Sequence, residues 1–168
     1  PHPYAMAREL RTWKQLQKSW YMFFFQIPWL PEFLLSLNHA WPIARMLSST
    51  SVQKTAFPPE ALLKYREAMN KPGALNASIN YYRALFRRPR RTRNTAQAPG
   101  ERPQTIITVP TLLIWGEQDI ALGVNLTDKL EQWVPNILTR RLAASGHWVQ
   151  QEMPDTVNTL MIDFLHHS

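Results

Sequence analysis

Two short runs near the C-terminus constrain this chain more than anything else in it. Thr111–Gly116 is a continuous apolar run of strand length, and Ile137–Leu142 is a second strand-type run. Between them, Val124 to Val134 reads as a helix stopped by Pro135. Pro154 then opens another helix, with Asp155 in its positive first turn. In that helix Val157, Leu160, Met161, Phe164 and Leu165 recur at i, i+3, i+4, i+7 and i+8. Strand, helix, strand, helix in this order predicts a βαβα unit and therefore parallel strands. An apolar run without alternation is what a strand covered on both faces requires. Two strands cannot cover each other in that way, so the rest of the sheet is expected from outside the chain.

The first half has a different character. Met6, Leu10, Trp13, Gln17, Trp20 and Phe24 recur at steps of three or four, which predicts a helix over residues 4–25. Pro28 and Pro31 break it. A short helix is expected over residues 32–38 and a polar loop around Ser48–Ser51. Pro58-Pro59-Glu60 starts a helix carrying Leu62, Tyr65 and Met69, and Asn70-Lys-Pro-Gly73 stops it. A further helix puts Leu75, Ile79, Tyr82 and Phe86 on one side, with Tyr81 off that stripe. Residues 1–88 are thus expected to be helical, residues 89–109 a basic, Pro-containing linker, and residues 110–168 a βαβα segment.

Composition sets the outer limits. A chain of 168 residues with 45% hydrophobic and 18% charged residues is long and apolar enough for an ordinary core. The net charge of +7 is concentrated, since Arg87, Arg88, Arg90, Arg91 and Arg93 supply five positive charges within seven positions. That run has no interleaved aromatics and is flanked by Pro89, Pro99, Gly100 and Pro103. It reads as a solvated linker and not as a nucleic-acid surface. The absence of cysteine excludes disulfides and thiolate chemistry and makes the cytoplasm the default expectation. The stretch Tyr21 to Leu37 is very apolar, but Pro28, Pro31 and Glu32 interrupt it. A buried helix and loop is therefore preferred over a membrane span or a membrane-surface contact. The chain starts Pro1-His2-Pro3 with neither Met nor an apolar leader, which suggests a piece of a longer protein.

Chemistry concentrates at the ends of the two strands. Asp119 follows the first in Gly116-Glu-Gln-Asp119, and His147 follows the second in Ala144-Ser-Gly-His147-Trp-Val-Gln150. Ligand sites of open α/β sheets collect at the C-terminal ends of their strands. A carboxylate that fixes the tautomer of a histidine and stabilises its imidazolium makes that histidine a competent general base. Taken singly, each residue is as readily a surface turn or a packed loop side chain. Acid then histidine, after successive strands, is the chain order of the second half of an α/β-hydrolase triad. His2, His39, His166 and His167 show no metal-ligand spacing, and neither a phosphate loop nor a dinucleotide fingerprint is present.

With these residues in place the chain resembles the epoxide hydrolase branch of the α/β-hydrolases, the epoxide hydrolase 4-like group, over essentially its whole length. The matching segments are His2-Pro3, Trp20-Tyr-Met-Phe-Phe-Phe-Gln-Ile-Pro28, Pro72 to Arg83, Pro110 to Asp119 and Ser145-Gly-His-Trp148. The resemblance implies an α/β-hydrolase fold fragment: a helical cap followed by the last two strands and helices of the parallel sheet. It implies Asp119 as the acid, His147 as the base, and two cap tyrosines, Tyr21 and Tyr82, that donate to the oxygen of an opening epoxide. Trp148, beside the base, would line the substrate pocket. The implied reaction needs no cofactor and no metal, and runs through an alkyl-enzyme ester on a carboxylate nucleophile. In the family that nucleophile, its elbow and the oxyanion loop precede the position of Pro1. None of the five glycines here lies in an elbow-like pattern.

The expected partner is therefore a small apolar epoxide, together with the N-terminal half of the fold. The chain alone is expected to be inactive. Haloalkane and haloacetate dehalogenases use the same ester chemistry, but their caps hold a halide with Trp or His donors, and the tyrosine pair argues against them. A non-catalytic hydrolase remnant is the other reading, supported by the absent nucleophile.

Overall fold

The computed structural model describes residues 2–87 and 106–167. Of the arginine-rich run only Arg87 falls among them, exposed; most of the 89–109 linker lies outside the described residues. Six helices come first: α1 Pro3–Glu9, α2 Trp13–Lys18, α3 Trp20–Phe24, α4 Leu30–Thr50, α5 Pro59–Met69 and α6 Ala74–Phe86. Strand β1 (Thr111–Gly116), two 3₁₀ turns (Val124–Thr127 and Leu130–Gln132), strand β2 (Ile137–Leu142), α7 (Val149–Glu152) and α8 (Pro154–His167) follow.

The two strands pair in parallel, with Thr111 opposite Ile137 and Gly116 opposite Leu142, so both C-terminal ends open on the same edge. Ala5 from α1 packs with Trp115, Leu126, Leu130, Trp133 and Val134 in one buried cluster, while α5 and α6 pack against α4. The first helix therefore belongs with the sheet and not with the helices that follow. The described residues thus form a helical portion followed by a two-stranded parallel sheet, the arrangement expected of part of an α/β fold.

The predicted single helix over residues 4–25 is three short helices, for a local reason. Thr12 caps α2, its Oγ1 accepting from Gln15 N at 3.3 Å and donating to Glu9 O at 2.7 Å. Ser19 ends α2 and is fully buried. Each break rotates the apolar stripe, so Trp13 and Trp20 are exposed while Gln15 is buried. The expected loop at Ser48–Ser51 is instead the end of α4. That helix breaks earlier, at Leu37–Ala40, where Asn38, His39 and Ala40 adopt left-handed backbone angles. Pro42 accounts for the break, because its ring has no N–H to give and crowds the carbonyl one turn earlier. Arg66 of α5 satisfies the freed carbonyls, donating to His39 O and Asn38 O at 2.9 Å each.

The helix expected over Val124–Val134 is the pair of 3₁₀ turns. Asp128 is extended and Lys129 left-handed between them. Arg8 of α1 donates to Asn125 O and Asp128 O and so replaces helical partners there. The C-terminal helix forms as expected, but of its stripe only Val157 is buried, and Met161 and Leu165 are exposed. In β1 only Trp115 and Gly116 are fully buried, short of the two-sided cover expected of its composition.

Candidate active site

The loops after β1 and β2 are stitched to each other, and this brings Asp119 to His147. Glu117 N donates to Leu142 O, Gln118 N to Ser145 O, and Gln118 Nε2 to Ala143 O, all within 3.1 Å. The result is a 2.9 Å contact between Asp119 Oδ2 and His147 Nδ1. The other oxygen, Oδ1, accepts from Ala121 N at 2.7 Å and Leu122 N at 2.8 Å. A carboxylate held by three donors cannot swing away, so the imidazole is fixed with Nδ1 as donor and Nε2 left to accept. Asp119 is buried and the His147 side chain is 33% exposed. His147 therefore faces solvent with the buried Asp119 behind it.

The acid loop is also held from the helical side. Gln15 Oε1 accepts from Gly123 N at 2.9 Å, and its Nε2 donates to Ala121 O and Ser19 Oγ at 3.1 Å each. Lys18 Nζ donates to Asp119 O at 2.7 Å. Neither residue was singled out by sequence. The legible signal was Thr12-Trp-Lys-Gln15, the spacing of a capping box, whose glutamine here reaches across to the loop.

Tyr21 on α3 and Tyr82 on α6 meet edge to face, with ring centroids 5.7 Å apart. Phe25 completes the group, 6.0 Å from Tyr21 and 4.9 Å from Tyr82. Both tyrosines are half-buried, whereas Tyr81 is 71% exposed, off the stripe as its position predicts. Among the described residues no hydrogen bond engages either hydroxyl. Burial pushes the Tyr21 phenol up to about 12, helped by Tyr82 and then by the charge of Asp119. Burial raises Tyr82 as well, with Tyr81 adding to it. Both are therefore neutral donors at physiological pH, and Tyr21 lies within the electrostatic reach of the acid.

Arg83 holds the two tyrosine helices together, and sequence gave no reason to single it out beyond its neighbours. It pairs with both Glu32 oxygens and donates to Phe25 O and Ile27 O at 2.9 Å each. The guanidinium holds the Glu32 carboxyl below its usual range, chiefly through their hydrogen bond. Gln26 Nε2 adds a bond to Tyr82 O at 3.5 Å. Trp148 stands edge to face on the His147 ring, 4.9 Å between centroids, and its Nε1 donates to Thr50 Oγ1 at 2.9 Å. Two solvent-open depressions lie elsewhere, one around Asp128 and Arg141 and one around Glu32 and Asn76, and neither is lined by Asp119, His147, Trp148, Tyr21 or Tyr82. Among the described residues no three His, Asp or Glu side chains are grouped to hold a metal ion. No described helix is long and apolar enough to cross a membrane.

The alpha/beta hydrolase fold family matches residues 12–154. This chain belongs to that family. Human epoxide hydrolase 4 is 35% identical over 98% of the chain, which spans 44% of that protein. The epoxide hydrolase of Bacillus megaterium in complex with an inhibitor superposes with a TM-score of 0.79 at 29% identity, over 99% of this chain and 58% of that one. The same TM-score and coverage hold for a mutant of that enzyme complexed with its product, (R)-3-[1]naphthyloxy-propane-1,2-diol. The chain thus spans about half the length of the proteins it matches, and over that length it is similar to epoxide hydrolases.

Proposed function

We propose that this chain supplies the acid, the base and the two phenolic donors of an epoxide hydrolase, which converts an apolar epoxide to a vicinal diol through an alkyl-enzyme ester. The Asp119–His147 pair carries the reading: a buried, fully engaged acid fixes the tautomer of a partly exposed base. Asp119 is itself committed to His147 and two backbone donors, so it is not the nucleophile. That role falls to a carboxylate from the part of the fold outside this chain. Residues 110–168 with α1 then form the core portion, α3 to α6 the cap, and residues 89–109 the connection. The chain by itself is inactive.

In the first step the nucleophilic carboxylate attacks one epoxide carbon and the C–O bond breaks. The oxygen leaves as an alkoxide and takes the proton of Tyr21 or Tyr82, giving a hydroxyalkyl ester and a tyrosinate. Two donors aimed at the developing charge stabilise it where it forms. In the second step His147 Nε2 takes a proton from water, and the resulting hydroxide attacks the ester carbonyl. Asp119 stabilises the imidazolium. The diol departs, the carboxylate is restored, and the imidazolium proton returns to the tyrosinate. Protein groups and water balance both steps. Trp148 forms the wall beside the base, and the Tyr21, Phe25 and Tyr82 rings supply an apolar, aromatic face. The aryl-ether diol bound by the similar Bacillus enzyme fits such a face.

The test is a single turnover of the full-length protein in ¹⁸O-labelled water. Water attacks the ester carbonyl, so the first diol released should carry no label and the enzyme should acquire it. Labelled diol in the first turnover would mean direct attack of water on the epoxide and would overturn the covalent reading.

A further inference from the structure

We propose that Glu152 is a positioning residue that sets where His147 stands, by tying the residue before it to the base of the cap. Glu152 is 8% exposed, and a carboxylate so far from water is tolerated only when donors fill its lone pairs. They do. Oε2 accepts from Gly146 N at 2.6 Å and Oε1 from Val52 N at 3.2 Å, and the Ser51 hydroxyl divides its one hydrogen between Oε1 at 3.2 Å and Gln53 O at 3.0 Å. Gly146 immediately precedes His147, and Ser51 and Val52 immediately follow α4. Such charge-assisted bonds are roughly twice as strong as neutral ones.

The carboxylate is the centre of a longer seam. Trp148 Nε1 donates to Thr50 Oγ1 at 2.9 Å, and Gln53 Nε2 donates to Ala144 O at 3.0 Å. Residues 144, 146 and 148 are thus each tied to the stretch 50–53, in reverse order, on either side of His147. The histidine ring turns the other way, towards Asp119. Packing leaves little slack, since a Cβ on Gly146 would stand 3.1 Å from Val52 Cγ2. Glu152 itself bonds neither Asp119 nor the imidazole, so it carries no proton in the chemistry. Its effect is geometric: a shift of the cap base is transmitted to the base of catalysis.

This inference rests on the two-step reading, in which His147 acts only on the ester. In the full-length protein, Glu152→Gln keeps the side-chain shape but turns an amide NH₂ towards one of the three donors. Ester formation, followed by mass spectrometry, should keep the parent rate. Ester hydrolysis should slow by about tenfold to a hundredfold, as small misplacements of a catalytic group do. The ester then accumulates, so kcat and KM fall together. Amide exchange at Gly146 should accelerate relative to the strands. A role in stability alone would reduce the amplitude of both steps and leave their rate ratio unchanged, and that result would overturn the proposal. Where the parent itself forms no ester, the covalent reading has failed and exchange at Gly146 decides: unchanged exchange sinks the proposal, faster exchange upholds the seam. Should Glu152→Gln not fold, Ser51→Ala with Gln53→Ala thins the same seam without burying an amide and should show the same step-specific slowing.

Discussion

Gly116 and Gly146 meet backbone to backbone: a Cβ on Gly116 would stand 2.1 Å from the carbonyl oxygen of Gly146 and 2.7 Å from that of Ser145. The end of β1, which leads to Asp119, and the loop that carries His147 touch at a point where no side chain fits. Gly116→Ala must therefore push the two loops apart, because the obstructing atoms are backbone and cannot rotate away. Overpacking of this kind costs about 3 kcal/mol. Urea denaturation of the full-length protein should show that loss, and ester hydrolysis should slow beyond what the stability change explains. A variant with parent stability would show that the loops are not held in this register.

What was legible in the sequence follows from what is local. The apolar run Thr111–Gly116, the second run Ile137–Leu142 and the acid and histidine placed just past them needed only strand-length patterning, and the parallel pairing follows. The breaks in the first half were less legible because one side chain decided each. Thr12 restarts a helix inside an otherwise periodic stretch, and Pro42 breaks α4 several residues before itself. The turns at Val124–Gln132 depend on Arg8, more than a hundred residues away in the chain. Arg83 and Glu152 act through contacts of the same long-range kind, which no spacing announces, and the capping-box spacing that marks Gln15 does not foretell its reach to the loop of Asp119. The tyrosines were singled out by family resemblance, since the stripe Leu75, Ile79, Tyr82 and Phe86 by itself reads as core.

In the full-length protein, His147→Gln should leave ester formation intact and block its hydrolysis, because the base acts only in the second step. Mixing with an epoxide should then give a stable covalent adduct by mass spectrometry. Normal multiple turnover would remove His147 from the mechanism.

Residues 1–168 expressed alone should bind hydrophobic dyes and associate. Met161, Ile162 and Leu165 on α8 are 48%, 53% and 68% exposed, Leu138 on β2 is 37% exposed, and a two-stranded sheet leaves both outer edges unpaired. A monomer with cooperative unfolding and no dye binding would contradict this.

The Tyr21 phenol has a pH signature. Its folded value, about 12, lies above the unfolded value of 10.0, so the native state holds that proton more tightly. Its contribution to stability is fully present below pH 10 and is lost as the pH rises through about 12. Phenolate absorbance should therefore show a late-titrating component that Tyr21→Phe removes. Loss of a component titrating near the ordinary value of about 10 instead would place Tyr21 in ordinary solvent.

Replacing Tyr21 or Tyr82 with Phe separates epoxide opening from halide displacement. Each change removes one donor to the nascent alkoxide and keeps the ring that packs in the Tyr21, Phe25 and Tyr82 group. Loss of one preorganised donor costs about 3 kcal/mol, or roughly a hundredfold in rate. Since either phenol can give the proton, each single variant should slow ester formation from an epoxide and the double variant should nearly abolish it. Stability should move little, because neither hydroxyl has a hydrogen-bond partner among the described residues. Hydrolysis of an ester already formed should keep its rate, which distinguishes these variants from His147→Gln. A haloalkane needs no alkoxide protonation, so any turnover of it should be far less sensitive to the same changes. Epoxide opening at the parent rate by both single variants would make Tyr21 and Tyr82 ordinary packing residues and remove the feature that favours an epoxide over a halide substrate.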